Sequence, residues 1–353
     1  MNKHGMELNV SKWLENGAFC KMPLGKFLVS WGASIKASSP MPGKHSYFTP
    51  DFYLEEDLDW VHFEHNLLMT ADEIKSNLRS KKLDNNLDWF EPDRKEFQNT
   101  FEKIKKEISS GHSYSKLVPV VFSTSRSNQI KEQLSQMIET LLTGNQGQFP
   151  YGYWSSEVSS GIIGVTPEVL FSVKDRELQS MALAGTHAID QPDGSLLSCP
   201  KEMSEHQFVV DALREILGNI SSFSQKKTYE WGLNQIKHLR TDFTAKLNKN
   251  FNYVDLVKLF HPTPALGCSP KSLDWKILKN YEINLSRQKY GAPFAVSSPR
   301  EECLCLVGIR NLQWKGEELF LGSGCGLVRE SELEKEWGEL KLKRQSVKNY
   351  LRI

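Results

Sequence analysis

The sequence predicts an α+β, or complex α/β, fold. Three observations carry this. Strand-like runs and helical periodicities are mixed along the chain without strict β-α-β alternation, which argues against a doubly wound parallel sheet. The GSGCGL segment lacks the last glycine of the dinucleotide fingerprint. An apolar fraction of 39%, with 18 Phe, 10 Tyr and 9 Trp, supplies a sizeable core for 353 residues. At ~100–200 residues per domain, the length fits one large domain or two ordinary ones.

The elements follow in order. SSPMPGKHSYFTP reads as a Pro/Ser/Gly-rich loop, followed by the acidic DFYLEEDLDWVHFEH. Phe97, Phe101, Ile104 and Ile108 fall at helical spacing over residues 96–109. KLVPVVFST is a β-rich run, and 128–142 reads as a second helix. GIIGVTPEVLFSV and LQSMALAGT read as strands broken by turns. Residues 202–218 and 328–350 carry long helical patterns rich in Glu, Lys and Leu. CLCLVGIRNLQWKGEELFLGSGCGLV reads as a hairpin around WKGE.

Composition excludes several classes. The net charge of +1 gives no positive excess with which to bind nucleic acid. No run of ~18 apolar residues suggests a membrane span, and the N-terminus lacks the apolar core of a signal peptide. Six cysteines without a CxxC pair fit reduced thiols, so a cytoplasmic location is expected. The chain contains no P-loop, HExxH or GxSxG motif. An enzyme using carboxylates, a lysine and a hard cation remains open.

Candidate residues of that kind recur in order. Lys116 opens the KLVPVVF run. Glu168 sits in GVTPE, and LAGT places Ala184 before Gly185 and Thr186. Glu205 and His206 lie near a helix start in KEMSEH. HPTPALG fixes a turn around His261 and Thr263. Glu336, Glu339 and Lys343, spaced i, i+3, i+7, share one face of the last predicted helix. Singly, each has an ordinary structural explanation, such as a solvated helix face or a strand end.

Taken together, KLVPVVF, GVTPE, LAGT, KEMSEH, HPTPALG, RQKYGAP, GIR, SGCGLVRES and EKEWGELKLK resemble the chorismate-binding enzymes over residues 96–350. The resemblance implies a single large fold of antiparallel sheets packed by helices around a central cleft. Residues 1–95 form its weakly matched N-terminal part and 96–353 its catalytic core. It implies a Mg²⁺-dependent enzyme acting on chorismate. Lys116, where ammonia-using members carry Gln, points to a water-using one. Ala184 stands where aminodeoxychorismate synthases often carry a nucleophilic lysine. By resemblance Lys116 is the general base and Glu168 the general acid. Burial is expected to favour the neutral form of each. Glu205 and Glu339 would bind Mg²⁺ directly, and Glu336 through water. Arg310, Lys343 and Tyr290 would hold a substrate carboxylate, and amides at Gly324 and Gly326 would form an anion nest. Thr186 and His261 would shape the pocket. Ala292, Phe294 and Ala295 depart from the family pattern and are expected near the pocket.

The leading expectation is an isochorismate synthase feeding menaquinone or siderophore synthesis. The alternatives are a salicylate synthase, an anthranilate synthase component and a catalytically silent chorismate-binding protein. A monomer is expected, with no nucleic-acid, membrane or obligate protein partner.

Overall fold

The computed structural model describes residues 7–78, 87–110, 114–143, 147–188, 195–233, 236–248, 251–300 and 302–353. Among them, sixteen strands join in one antiparallel sheet that falls into two halves. The first half runs Phe223–Gln225, Ile236–Lys246, Glu177–Ala188, Val169–Lys174, Cys303–Val307, Pro293–Ser297. Tyr229–Leu233 pairs off this path against Ile236–Lys246. The three-residue strand Ser46–Phe48 then leads into the second half. That half runs Trp60–Met69, Phe27–Ala37, Asn16–Lys21, Phe149–Ser155, Ser160–Thr166, Asn311–Lys315, Glu318–Gly324, Val120–Arg126.

The halves stack face to face, as strand alternation shows. Phe294, Val296, Leu304 and Leu306 from the first half share one core with Ala18, Cys20, Leu28, Tyr151 and Ile162 from the second. The Phe294 ring lies 4.8 Å from that of Tyr151 and 6.2 Å from that of Tyr47. The alternate residues point outward. Ala295, Cys303 and Cys305 meet Val209, Val210 and Leu213 of the helix Pro200–Ile220. On the opposite outer face Phe19 and Ile163 meet Trp13, Leu134, Met137 and Ile138 from the helices Val10–Glu15 and Ile130–Leu141. The result is helix, sheet, sheet, helix, with cores between all layers. No helix among the described residues is long and apolar enough to cross a membrane.

Helix expectations hold closely at Arg94–Ser109, Ile130–Leu141 and Pro200–Ile220, where apolar spacing is regular. The last helix begins later than expected, at Leu333. Ser331 donates its amide to the Val328 carbonyl, and its hydroxyl accepts from the Val328 amide, closing a turn first. The Pro/Ser/Gly-rich loop contains the strand Ser46–Phe48, because Pro293–Ser297 offers it an edge to pair with. KLVPVVF breaks in two at Pro119, which has no N–H to give a ladder. Lys116–Leu117 leaves the main sheet and pairs with Cys268–Ser269, while Val120–Arg126 stays on the edge.

The chain crosses between halves at two places. It passes from Thr166 to Val169 and returns from Val307 to Asn311. The crossings are tied together: the Val307 amide donates to the Glu168 carbonyl at 3.0 Å, and the Val165 amide to the Arg310 carbonyl at 3.2 Å.

Phe294→Ala should cost about 3–5 kcal/mol in urea unfolding, as expected for a buried ring lost from a packed core. A cost below ~1 kcal/mol would mean that the halves do not pack through this ring.

Candidate active site

A cleft opens at the crossings. Its walls include Glu168, Gly185, Glu205, His238, Tyr290, Arg310, Gly324, Gly326, Glu339 and Lys343. Glu168 stands on the outgoing crossing and Arg310 on the returning one. Glu168 is 3% exposed, and burial pushes its carboxyl up to about 7. The opposing pulls from the Thr263 hydroxyl, which donates at 3.4 Å, and from Lys116, Lys343 and Arg310 are weaker. A carboxyl in this state is a proton donor near neutral pH.

Lys116 is fully buried and donates to Glu205 Oε1 at 2.8 Å. Its two-residue strand is gripped on both sides. It pairs with Cys268–Ser269, and Leu117 exchanges two backbone hydrogen bonds with Leu327, at 3.1 and 2.8 Å. Gly326 makes the contact possible. A Cβ there would stand 2.4 Å from both Glu205 Oε1 and Lys116 Cε. That closeness explains the third glycine of GSGCG.

Two helix starts deliver the carboxylates. Glu202 and Glu205 come from Pro200–Ile220, Glu336 and Glu339 from Leu333–Leu351. Lys201 lies among them, with Nζ 3.2 Å from Glu202, 3.9 Å from Glu205 and 3.1 Å from Glu336. Burial pulls this amine down, but the surrounding carboxylates raise it above its ordinary value. Lys343 pairs with Glu339 at 2.6 Å. Glu336 is 1% exposed, and neither of its oxygens makes a well-formed hydrogen bond. Burial, then the neighbouring Glu339, push it up to about 7.

These residues fit a hard divalent cation. The donors are all carboxylate oxygens, and Glu336 is buried without a well-formed hydrogen bond. Among the described residues, however, no three carboxylates converge into a closed ligand set. The lysines stand between them.

The remaining expected residues divide. Arg310, Tyr290, Gly324, Gly326 and Lys343 line the cleft together. Arg310 Nη2 donates to His238 Nε2 at 2.6 Å, and His238 Nδ1 donates to the Gly185 carbonyl at 3.0 Å. Burial, followed by Arg310, keeps this imidazole neutral, far below its ordinary value. The tautomer is thereby fixed, and the guanidinium is aimed. Gly185 bulges out of its strand with φ +75°, between the paired Ala184 and Thr186. The expected anion nest is corrected. The Gly324 amide donates to the Tyr290 hydroxyl at 3.0 Å, and the Gly324 carbonyl accepts from Lys343 at 2.8 Å. Neither Gly324 nor Gly326 has the positive φ that an αR–αL nest requires.

His261 does not line the cleft. Its Nε2 donates to the Phe52 carbonyl at 2.6 Å, and its ring sits edge-on to Phe52 and Trp275. Burial lowers it to about 3, so it braces the HPTPALG turn as a neutral ring. The side chain of Thr186 lies outside the described residues. The departures expected near the pocket are elsewhere: Phe294 fills the inter-sheet core and Ala295 faces the helix side. Ala292 lies outside the cleft wall, and the positive φ of that segment falls on Gly291.

The sequence reading missed Lys201, Glu202 and His238. Glu202 precedes Glu205 by three residues, a spacing that places it on the same helix face. Lys201 precedes Glu205 by four. His238 lies in a strand without motif, and only the tertiary fold brings it to Arg310.

The sequence profile described as chorismate binding enzyme matches residues 43–349. The chain is 24% identical over 265 residues to an anthranilate synthase component 1 of Methanothermobacter thermautotrophicus, covering 72% of this chain and 56% of that protein. It is 27% identical over 222 residues to the isochorismate synthase MenF of Bacillus subtilis, covering 60% and 46%. The chain thus spans about half the length of the curated relatives it matches. The structure of MenF from Escherichia coli superposes with a TM-score of 0.78 at 18% identity, over 99% of this chain and 93% of that one. At that identity the likeness shows the fold alone.

The raised Glu168 has a measurable consequence. The native state keeps a proton that the unfolded chain releases between the ordinary value of 4.5 and about 7. Stability contributed by this group therefore falls as pH rises through that window and stays low above it. Glu168→Gln should stabilise the protein at pH 8, by about 3 kcal/mol at most, with the gain vanishing below the ordinary carboxylate value. Urea unfolding at several pH values checks this; a gain independent of pH would place the group's titration elsewhere.

Proposed function

The chain belongs to the chorismate binding enzyme family, and on that premise we propose that it is an isochorismate synthase. The observation that carries the reading is a pair of buried groups at one cleft wall: Glu168, a protonatable carboxyl that lines the cleft, and Lys116, an amine bonded to the cleft-lining Glu205. No lysine nucleophile stands before Gly185, where Ala184 lies. The chemistry this suits is addition of water at C2 of chorismate with departure of the C4 hydroxyl.

In this reading Lys116 takes a proton from the attacking water and Glu168 gives one to the leaving hydroxyl. Lys116 starts as the ion-pair partner of Glu205, so it serves as base only after its ammonium has given up a proton. Arg310, steadied by His238, supplies a planar fork for a substrate carboxylate, and Lys343 a second positive charge. Tyr290 keeps Gly324 and the Lys343 contact in register. Glu205 and Glu339 would hold a Mg²⁺ ion, with Glu336 and Glu202 behind them. Such an ion, when bound, neutralises and orients a substrate carboxylate. Similarity to anthranilate synthase components supports a second reading, in which ammonia replaces water.

Incubation with chorismate and Mg²⁺, without an amine source, distinguishes these by chromatography of the products. Isochorismate in equilibrium with chorismate, without pyruvate, is expected, and EDTA should abolish it. Salicylate with pyruvate, or anthranilate formed only when ammonium is added, would replace the reading. Glu168→Gln should lower the rate by ~10²–10⁴, the span of a lost general acid. Lys116→Gln should abolish hydration while chorismate still binds; a near-normal rate would remove Lys116 from the mechanism.

A further inference from the structure

Lys201 has no place in the proton transfers, yet it occupies the centre of the carboxylate cluster. It belongs to the first turn of its helix, immediately after Pro200. A positive charge is disfavoured there by the helix dipole, so nothing local favours its position. What holds it is Glu202 at 3.2 Å, Glu336 at 3.1 Å and Glu205 at 3.9 Å, the last being its own i,i+4 neighbour. Two of these come from its own helix and one from the first turn of Leu333–Leu351. Its amine therefore bridges the two helix starts.

Charge decides what a second cation does there. Glu202, Glu205, Glu336 and Glu339 face Lys116, Lys201 and Lys343. The Lys201 ammonium lies 3.2, 3.9 and 3.1 Å from Glu202, Glu205 and Glu336, so an ion taking those oxygens meets it at contact distance. Two cations held that close in a buried site repel, which is costly. The Lys201 side chain is 24% exposed, unlike the fully buried Lys116, so a path to solvent exists. Its flexible four-carbon stem can carry the ammonium outward.

We infer that Lys201 is the resident cation of the substrate-free cluster, and that a divalent ion binds by expelling it to solvent. The inference rests on the metal role proposed above, but not on the reaction catalysed. Lys201 sets the metal affinity and keeps the ligand helices together until the ion arrives.

The test uses the wild-type chain. A brief pulse of acetic anhydride with peptide mass mapping reads the reactivity of each lysine, with EDTA or with saturating Mg²⁺. Lys201 acetylation should rise at least five-fold with Mg²⁺, while that of the exposed Lys335 stays constant. Binding of Mn²⁺, followed by electron spin resonance on the same protein, is measured in parallel. Ion binding without increased Lys201 labelling would overturn the inference and leave the metal reading standing. Absence of ion binding would overturn both. In Lys201→Met the Mn²⁺ Kd should fall at least ten-fold. An unchanged or raised Kd in folded variant would again overturn the inference, and the wild-type labelling decides if the variant does not fold.

Discussion

The buried pair of Lys116 and Glu205 is the constraint around which the rest of the site is arranged. Neither charge can be left alone in the interior without a penalty of several kcal/mol. The pair must therefore meet, although its partners lie 89 residues apart. Meeting requires a strand that leaves the main sheet, which Pro119 permits by ending the ladder. It requires a second strand, Cys268–Ser269, to receive that strand. It also requires a backbone without a side chain overhead, which Gly326 provides. Three sequence features that look unrelated thus answer one electrostatic demand. A hydrophobic pair of similar volume would pack as well, so packing alone does not account for the ionic pair.

The rest of the cleft shows the same opposition between stability and function. Glu168 and Glu336 are both held up near neutrality by burial. His238 is held neutral beside a guanidinium. Perturbations of this kind gather where catalysis needs them. They are tolerated because the surrounding layers are well packed, with separate cores between and outside the two halves of the sheet.

Much of this was legible in the sequence, for a definite reason. Regular spacing makes the helices readable, and the ordered motifs group Lys116, Glu168, Glu205, Glu339 and Lys343. What escaped depended on contacts between distant segments. Ser46–Phe48 is a strand only because a partner edge lies beside it. Gly324 turned out to be occupied by Tyr290 and Lys343, a competition among hydrogen-bonding groups that spacing does not encode. His261 was misplaced because a histidine between prolines looks equally apt for a pocket or for a brace. Its two aromatic neighbours, Phe52 and Trp275, come from elsewhere in the chain. Lys201 was passed over because a lysine beside glutamates on a helix ordinarily signifies a solvated face.

The two crossings have a mechanical meaning. Apart from Ser46–Phe48, every strand of the first half lies within residues 169–307, so that half is spliced into the second at Glu168 and Arg310. The splice points are the cleft's acid and its arginine. Any sliding of one half over the other shears these two groups apart, and any molecule gripped by both acts as a rivet across the joint. Conversely, looseness in the inter-sheet core translates into misalignment of Glu168 and Arg310 across the cleft.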